Sequence, residues 1–87
     1  MMIGTVLDSI WCTRKEESLT GIKLMTVKLL DKEDPKAGDI IVAADIIGAG
    51  VGEKVLVTQG SSARKAVGFI ESPVDATIIG IIDEKAV

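Results

Sequence analysis

Gly48-Ala49-Gly50-Val51-Gly52-Glu53-Lys54-Val55-Leu56-Val57-Thr58-Gln59-Gly60-Ser61-Ser62-Ala63-Arg64-Lys65-Ala66 carries, in succession, a glycine-rich turn, a strand and a helix start. Glycines at alternate positions 48, 50 and 52 permit positive φ and close backbone approach that other residues resist. Lys54 to Gln59 is a short β-rich run with Val55 and Val57 on one side. Gly60 to Ala66 then offers a serine able to cap the first free N–H groups, with good helix formers behind it.

Upstream, Ile3 to Cys12 reads as a strand with Ile3, Leu7 and Trp11 on one face and Gly4, Val6 and Ile10 mostly on the other. Both faces carry apolar residues, so one fills a core while the other meets a neighbour. Thr13 to Ser18 forms a charged turn, and Gly21 to Leu30 resumes a strand in which Ile22, Leu24 and Thr26 oppose Met25, Val27 and Leu29. Asp31 to Gly38, with Asp34-Pro35 inside it, reads as an exposed connector, because proline cannot donate to a ladder. Asp39 to Ile47 is an apolar third strand interrupted by Asp45.

Downstream, Ser72-Pro73 sets an extended entry to a fifth strand over Val74 to Asp83, in which Val74, Ala76, Ile78 and Ile82 alternate with Asp75, Thr77, Ile79 and Ile81. The expected fold is all-β: a small five-stranded OB-like β-barrel with one short helix before the last strand. Residues 1–87 are expected to form a single domain, because so short a chain cannot support two cores.

The hydrophobic fraction is 47% but the aromatic fraction only 2%, so branched aliphatic residues carry the apolar weight, as strands prefer. A mean hydropathy of +0.40 leaves more apolar side chains than a small core can hide, which predicts an oligomer. No run approaches the roughly 18–20 apolar residues that span a bilayer, and the N-terminus has no basic segment ahead of an apolar one, so a soluble cytoplasmic protein without a membrane partner is expected. A net charge of −3 gives no attraction to phosphate backbones, and nucleic acid is not an expected partner. The single cysteine, Cys12, fits a reducing compartment and reads as a buried structural thiol.

The chain contains no histidine, which removes the commonest general base and the commonest zinc ligand. No catalytic constellation, cofactor site or metal site is expected. Ser62-Ala63-Arg64-Lys65 matches S-x-x-K, yet without companion motifs it reads as a helix cap plus a surface lysine. Gly48-x-Gly50-x-Gly52 matches neither phosphate-binding glycine fingerprint, and it runs into a strand where a dinucleotide site needs a helix. The alternative to a structural role is an OB-like binding module for a small anionic ligand, held at the Ser61-Ser62 helix start, or for a protein partner. Asp45, inside an apolar strand, and Arg64, near a helix start, each call for a specific polar partner, and pairing across a subunit boundary is the hypothesis for both.

The stretch 48–57 followed by Gly60-Ser61-Ser62-Ala63-Arg64 resembles the signature of the EutN/CcmL family, the pentameric vertex proteins of carboxysomes and metabolic microcompartments. Thr13-Arg14-Lys15, Leu19-x-Gly21-x-Lys23-Leu24, Val42-Ala43-Ala44-Asp45, Pro73-Val74-Asp75 and Ile79-x-Ile81-Ile82-Asp83 extend the resemblance along the chain. The resemblance implies a barrel subunit, a homopentamer, and a place at the five-fold corners of a cytoplasmic shell otherwise tiled by hexameric proteins. Gly48, Ala49, Gly50, Gly52, Glu53, Gly60, Ser61, Ser62, Ala63, Arg64, Asp45, Pro73 and Asp75 are then structural or assembly signatures, not catalytic residues. Two departures stand out: relatives often continue past the position of Asp83-Glu84, and Lys54 stands where many carry an aromatic residue.

Overall fold

A computed structural model describes residues 1–12, 15, 17–30, 38–68 and 72–83. The elements are β1 (Met2–Ser9), a 3-10 turn (Glu17–Leu19), β2 (Lys23–Leu29), β3 (Ile40–Asp45), β4 (Lys54–Gln59), α1 (Ser61–Val67) and β5 (Ala76–Ile81). The strands close into a barrel in the order β1-β2-β3-β5-β4, with α1 before the last strand as the sequence predicts. Every pairing is antiparallel except β3 with β5, which run parallel and meet only at Ala44–Thr77 and Asp45–Ile78. Closure removes most of the unpaired edges that a five-stranded open sheet would leave.

The period-2 pattern sets the barrel interior. Met2 and Val6 of β1, Met25, Val27 and Leu29 of β2, Ala43 of β3, Val55 and Val57 of β4, and Ala76 and Ile78 of β5 share one buried cluster. Gly4 lies between Met2 and Val6 on this inner face, where a Cβ would overlap Val27 Cγ1 and sit 3.0 Å from the Lys28 carbonyl oxygen. Glycine there lets β1 and β2 close over the core.

A smaller cluster sits outside the wall. Leu24 and Ala44 face each other across β2 and β3 on the side opposite to the Met25–Ala43 pair. Ala44 packs there with Ala63 and Val74, and Leu19, Ile22 and Val67 close around them. The helix is thus a lid on the outer face of the barrel. Thr77 fastens it by donating its hydroxyl proton to the Ala63 carbonyl at 2.9 Å.

Two β-bulges break the expected alternation. Val6 pairs with Val27 but Asp8 pairs with Thr26, so Leu7 is an extra residue. β1 ends at Ser9, and Trp11, 93% exposed, does not share a strand face with Ile3. Cys12 is exposed, not the buried thiol expected, because it too lies beyond the strand. In β5, Ile78 pairs with Val57 and Gly80 with Leu56, so Ile79 is the extra residue and the alternation expected as far as Ile82 ends at Ile78. The expected connector over 31–38 lies outside the described residues except for Gly38, as do residues 13, 14 and 16 of the charged turn over 13–18.

Candidate functional site

The end of β3 and the glycine turn form one hydrogen-bonded unit. Asp45 pairs with Lys23 across the β2–β3 ladder, and its carboxylate turns over the chain that follows. Its Oδ1 accepts from the Ile47 N–H at 2.9 Å and the Gly48 N–H at 3.0 Å, and its Oδ2 from the Ala49 N–H at 2.9 Å. Lys23 Nζ stands 3.8 Å from the same Oδ2, with the lysine side chain half exposed and the carboxylate wholly covered. The polar partner that the sequence demands for Asp45 is therefore supplied by its own chain: successive backbone amides satisfy the buried charge. Pairing across a subunit boundary is not needed to explain it.

Glu53 does the same from the other end of the turn. Its Oε1 accepts from the Gly50 N–H at 2.6 Å, and its own N–H donates to the Gly50 carbonyl at 3.2 Å. A Cβ on Gly50 would lie 3.1 Å from that carboxylate oxygen, so close approach rather than positive φ explains this glycine. Gly48 and Gly52 do adopt positive φ, at 90° and 86°. Gly52 donates to the Val6 carbonyl at 2.8 Å, and the Val6 N–H returns a bond to the Glu53 carbonyl at 3.0 Å, which welds the turn to β1 beside its bulge. Ala49 enters the barrel core at 1% exposure. The amides of Ile47, Gly48, Ala49, Gly50 and Gly52 are all committed to internal acceptors, so none of these five is offered to a phosphate. The turn is a rigid plug.

The helix start differs from its expectation. Gly60, at φ 67°, is the N-cap of α1, and no side chain caps the helix. The Gly60 carbonyl accepts from the Ala63 and Arg64 amides at 3.1 and 3.3 Å, while its N–H donates to the Asp75 carbonyl at 2.9 Å. A glycine that can take positive φ reverses the chain from β4 into the helix within one residue, so neither serine is needed at the cap. Ser61 and Ser62 are exposed, as is Lys65, so the S-x-x-K spacing encloses no pocket. Ala63 is fully buried beneath Thr77, and Arg64 is half-buried. The Lys23–Asp45 ion pair does not involve Arg64.

Pro73 and Asp75 are exposed at the entry to β5, where the Ser72 hydroxyl accepts from the Val74 N–H at 3.2 Å. Asp75 contributes its backbone carbonyl to Gly60, so Gly60 and Asp75, distant in sequence, meet at one joint. Thr77 and Lys23 belong to these joints although the sequence gives neither a partner; only the strand register brings them to Ala63 and Asp45. No described helix is long and apolar enough to cross a membrane.

Comparison with known proteins places this architecture. The family model described as "Ethanolamine utilisation protein EutN/carboxysome" matches residues 1–83. The chain is 43% identical over 83 residues to the carboxysome shell vertex protein CcmL of a Synechocystis species, covering 95% of this chain and 83% of that protein. It is 44% identical over 84 residues to the microcompartment shell vertex protein EutN of Salmonella typhimurium, covering 97% and 85%. Among solved structures, the GrpN pentameric microcompartment shell protein from Rhodospirillum rubrum superposes with a TM-score of 0.81 at 41% identity, covering 95% of this chain and 94% of that one. The five-stranded closed barrel with its short helix before the last strand matches the relatives' structures: the chain belongs to the EutN/CcmL family.

Proposed function

We propose that this protein is a structural shell subunit that assembles as a homopentamer and caps the five-fold vertices of a bacterial microcompartment in the cytoplasm. The observation that carries this reading is the match of residues 1–83 to a family whose relatives are named shell vertex proteins and whose structures include pentameric ones. Hexagonal tiles alone form a flat sheet, and five-fold units let it close; the expected partners are therefore copies of this chain and hexameric shell proteins.

The subunit works by shape and carries out no chemistry of its own. Both carboxylate oxygens of Asp45 and Oε1 of Glu53 accept from backbone amides of the signature turn. Six signature residues, Asp45, Gly48, Ala49, Gly50, Gly52 and Glu53, hold the plug, while Gly60, Ala63 and Asp75 join the helix to the β4–β5 pair. Co-assembly with a hexameric shell protein tests the reading by electron microscopy. Closed polyhedra should form when this chain is present and open sheets or tubes when it is absent; closed shells in both samples would refute the vertex role.

A further inference from the structure

Where the chain leaves β1 and returns into β2, its two limbs stay together past the end of the strand. Ser9 pairs with Met25, and beyond it the Ile10 N–H donates to the Leu24 carbonyl at 2.9 Å. Residues 10–12 thus run close to residues 22 and 23. An open depression of about 310 Å³ lies there, lined chiefly by Ile10, Trp11, Cys12, Lys15, Ile22 and Lys23.

Its apolar lining is continuous. Ile10 and Ile22 are half-buried, and Trp11, the single tryptophan of the chain, stands beside them 93% exposed. A scattered apolar side chain at a surface calls for no explanation, but an indole next to two isoleucines forms a patch, and tryptophan is among the residues that most often carry the binding energy of protein contacts. So open a site cannot enclose most of a small molecule's surface, as a metabolite pocket does, whereas a peptide chain laid across it can cover it.

The charged side chains that line the depression are both lysines, in a chain whose net charge is −3. Asp8 and Glu17, exposed and near in sequence, do not line it. Lys15 is exposed, and the Lys23 ammonium stands 3.8 Å from Asp45, beyond hydrogen-bond reach, so both keep donors for an outside acceptor. The local sign is opposite to that of the molecule as a whole and selects an anionic partner. One indole between isoleucines suits apolar side chains better than nucleobases, which stack on several rings in succession.

We infer that this depression docks a short acidic segment of another protein, with an apolar side chain of that segment against Ile10, Trp11 and Ile22 and its carboxylates on Lys15 and Lys23. The inference goes beyond the vertex reading and does not depend on how many copies the particle holds.

The site carries its own reporters, because Trp11 and Cys12 are the only tryptophan and cysteine of the chain. The probe is a short synthetic peptide of glutamates and leucines with one phenylalanine, added to the native particle. Trp11 emission should shift to the blue and saturate, and alkylation of Cys12 by a maleimide should slow several-fold. Lys15→Glu should weaken binding about tenfold, and added salt should weaken it in the wild type. A peptide with lysines in place of the glutamates should move neither signal. The inference is overturned if the acidic peptide moves neither signal, or if the lysine peptide or a single-stranded oligonucleotide moves them as strongly. It is equally overturned if the free particle already emits as a buried indole and resists alkylation, since sister subunits would then cover the depression. A particle with the mass of a monomer and both responses intact would refute the pentamer reading and leave this one standing.

Discussion

Asp45 Oδ2 accepts a hydrogen bond from the Ala49 amide at 2.9 Å, and this contact sets Ala49 into the barrel core as the inner end of the signature turn. A carboxylate inside an apolar strand thereby becomes the fastening of a loop. Its removal should be felt more than any surface change. Asp45→Ala leaves the Ile47, Gly48 and Ala49 amides without their acceptor, and the last of these is buried. A loss of about 2–4 kcal/mol is expected, as several charge-assisted bonds vanish together. Urea titration at one fixed protein concentration measures it.

Lys23 gives the matching control. Its ammonium stands 3.8 Å from the Asp45 carboxylate and the side chain is half exposed, so solvent screens the pair. Lys23→Met should cost less than about 1 kcal/mol in the same titration. A loss as large as that of Asp45→Ala would mean that the ion pair, not the amide cage, holds the charge.

Gly4 tests the packing of β1 on β2. A Cβ at this position overlaps Val27 Cγ1, and the nearby Lys28 carbonyl prevents an easy shift. Gly4→Ala should destabilise the barrel by about 1–3 kcal/mol, the usual range for overpacking. In a double-mutant cycle, Val27→Ala should recover part of that loss by vacating the same space.

The helix provides two opposite expectations. The Thr77 hydroxyl is buried and donates to the Ala63 carbonyl, so Thr77→Val should cost about 1–2 kcal/mol and loosen the helix on the barrel. Ser61→Ala and Ser62→Ala remove no capping bond, because α1 has none from a side chain, and each should stay within about 0.5 kcal/mol of wild type. Thermal melts followed by circular dichroism distinguish the two cases.

Much of the barrel is legible in the sequence because side-chain direction alternates with period two. Met25, Val27 and Leu29, and Val55 with Val57, fall on the inner face as their spacing requires. The bulges at Leu7 and Ile79 are not legible in that way. An extra residue in one strand depends on what the partner strand offers, and that is a property of pairing rather than of either segment. Trp11 and Cys12 miss their expected faces because β1 ends at Ser9.

The site divides similarly. Asp45 announces itself as a charge in an apolar run, but its partners are amides of its own loop, and backbone donors look alike in every sequence. The serine expected to cap α1 lost to Gly60, whose positive φ closes the turn with its own carbonyl. Glycine at position 60 was visible; that it would displace its neighbours from the cap depended on the Asp75 carbonyl on the adjoining stretch of chain at the start of β5.

The mass of the intact particle in native conditions tests the central claim most directly. Five copies of the 9.1 kDa chain should travel as one closed species that persists on dilution through the micromolar range. A folded monomer at those concentrations, or an open series of ever larger oligomers, would contradict a subunit built to close a ring.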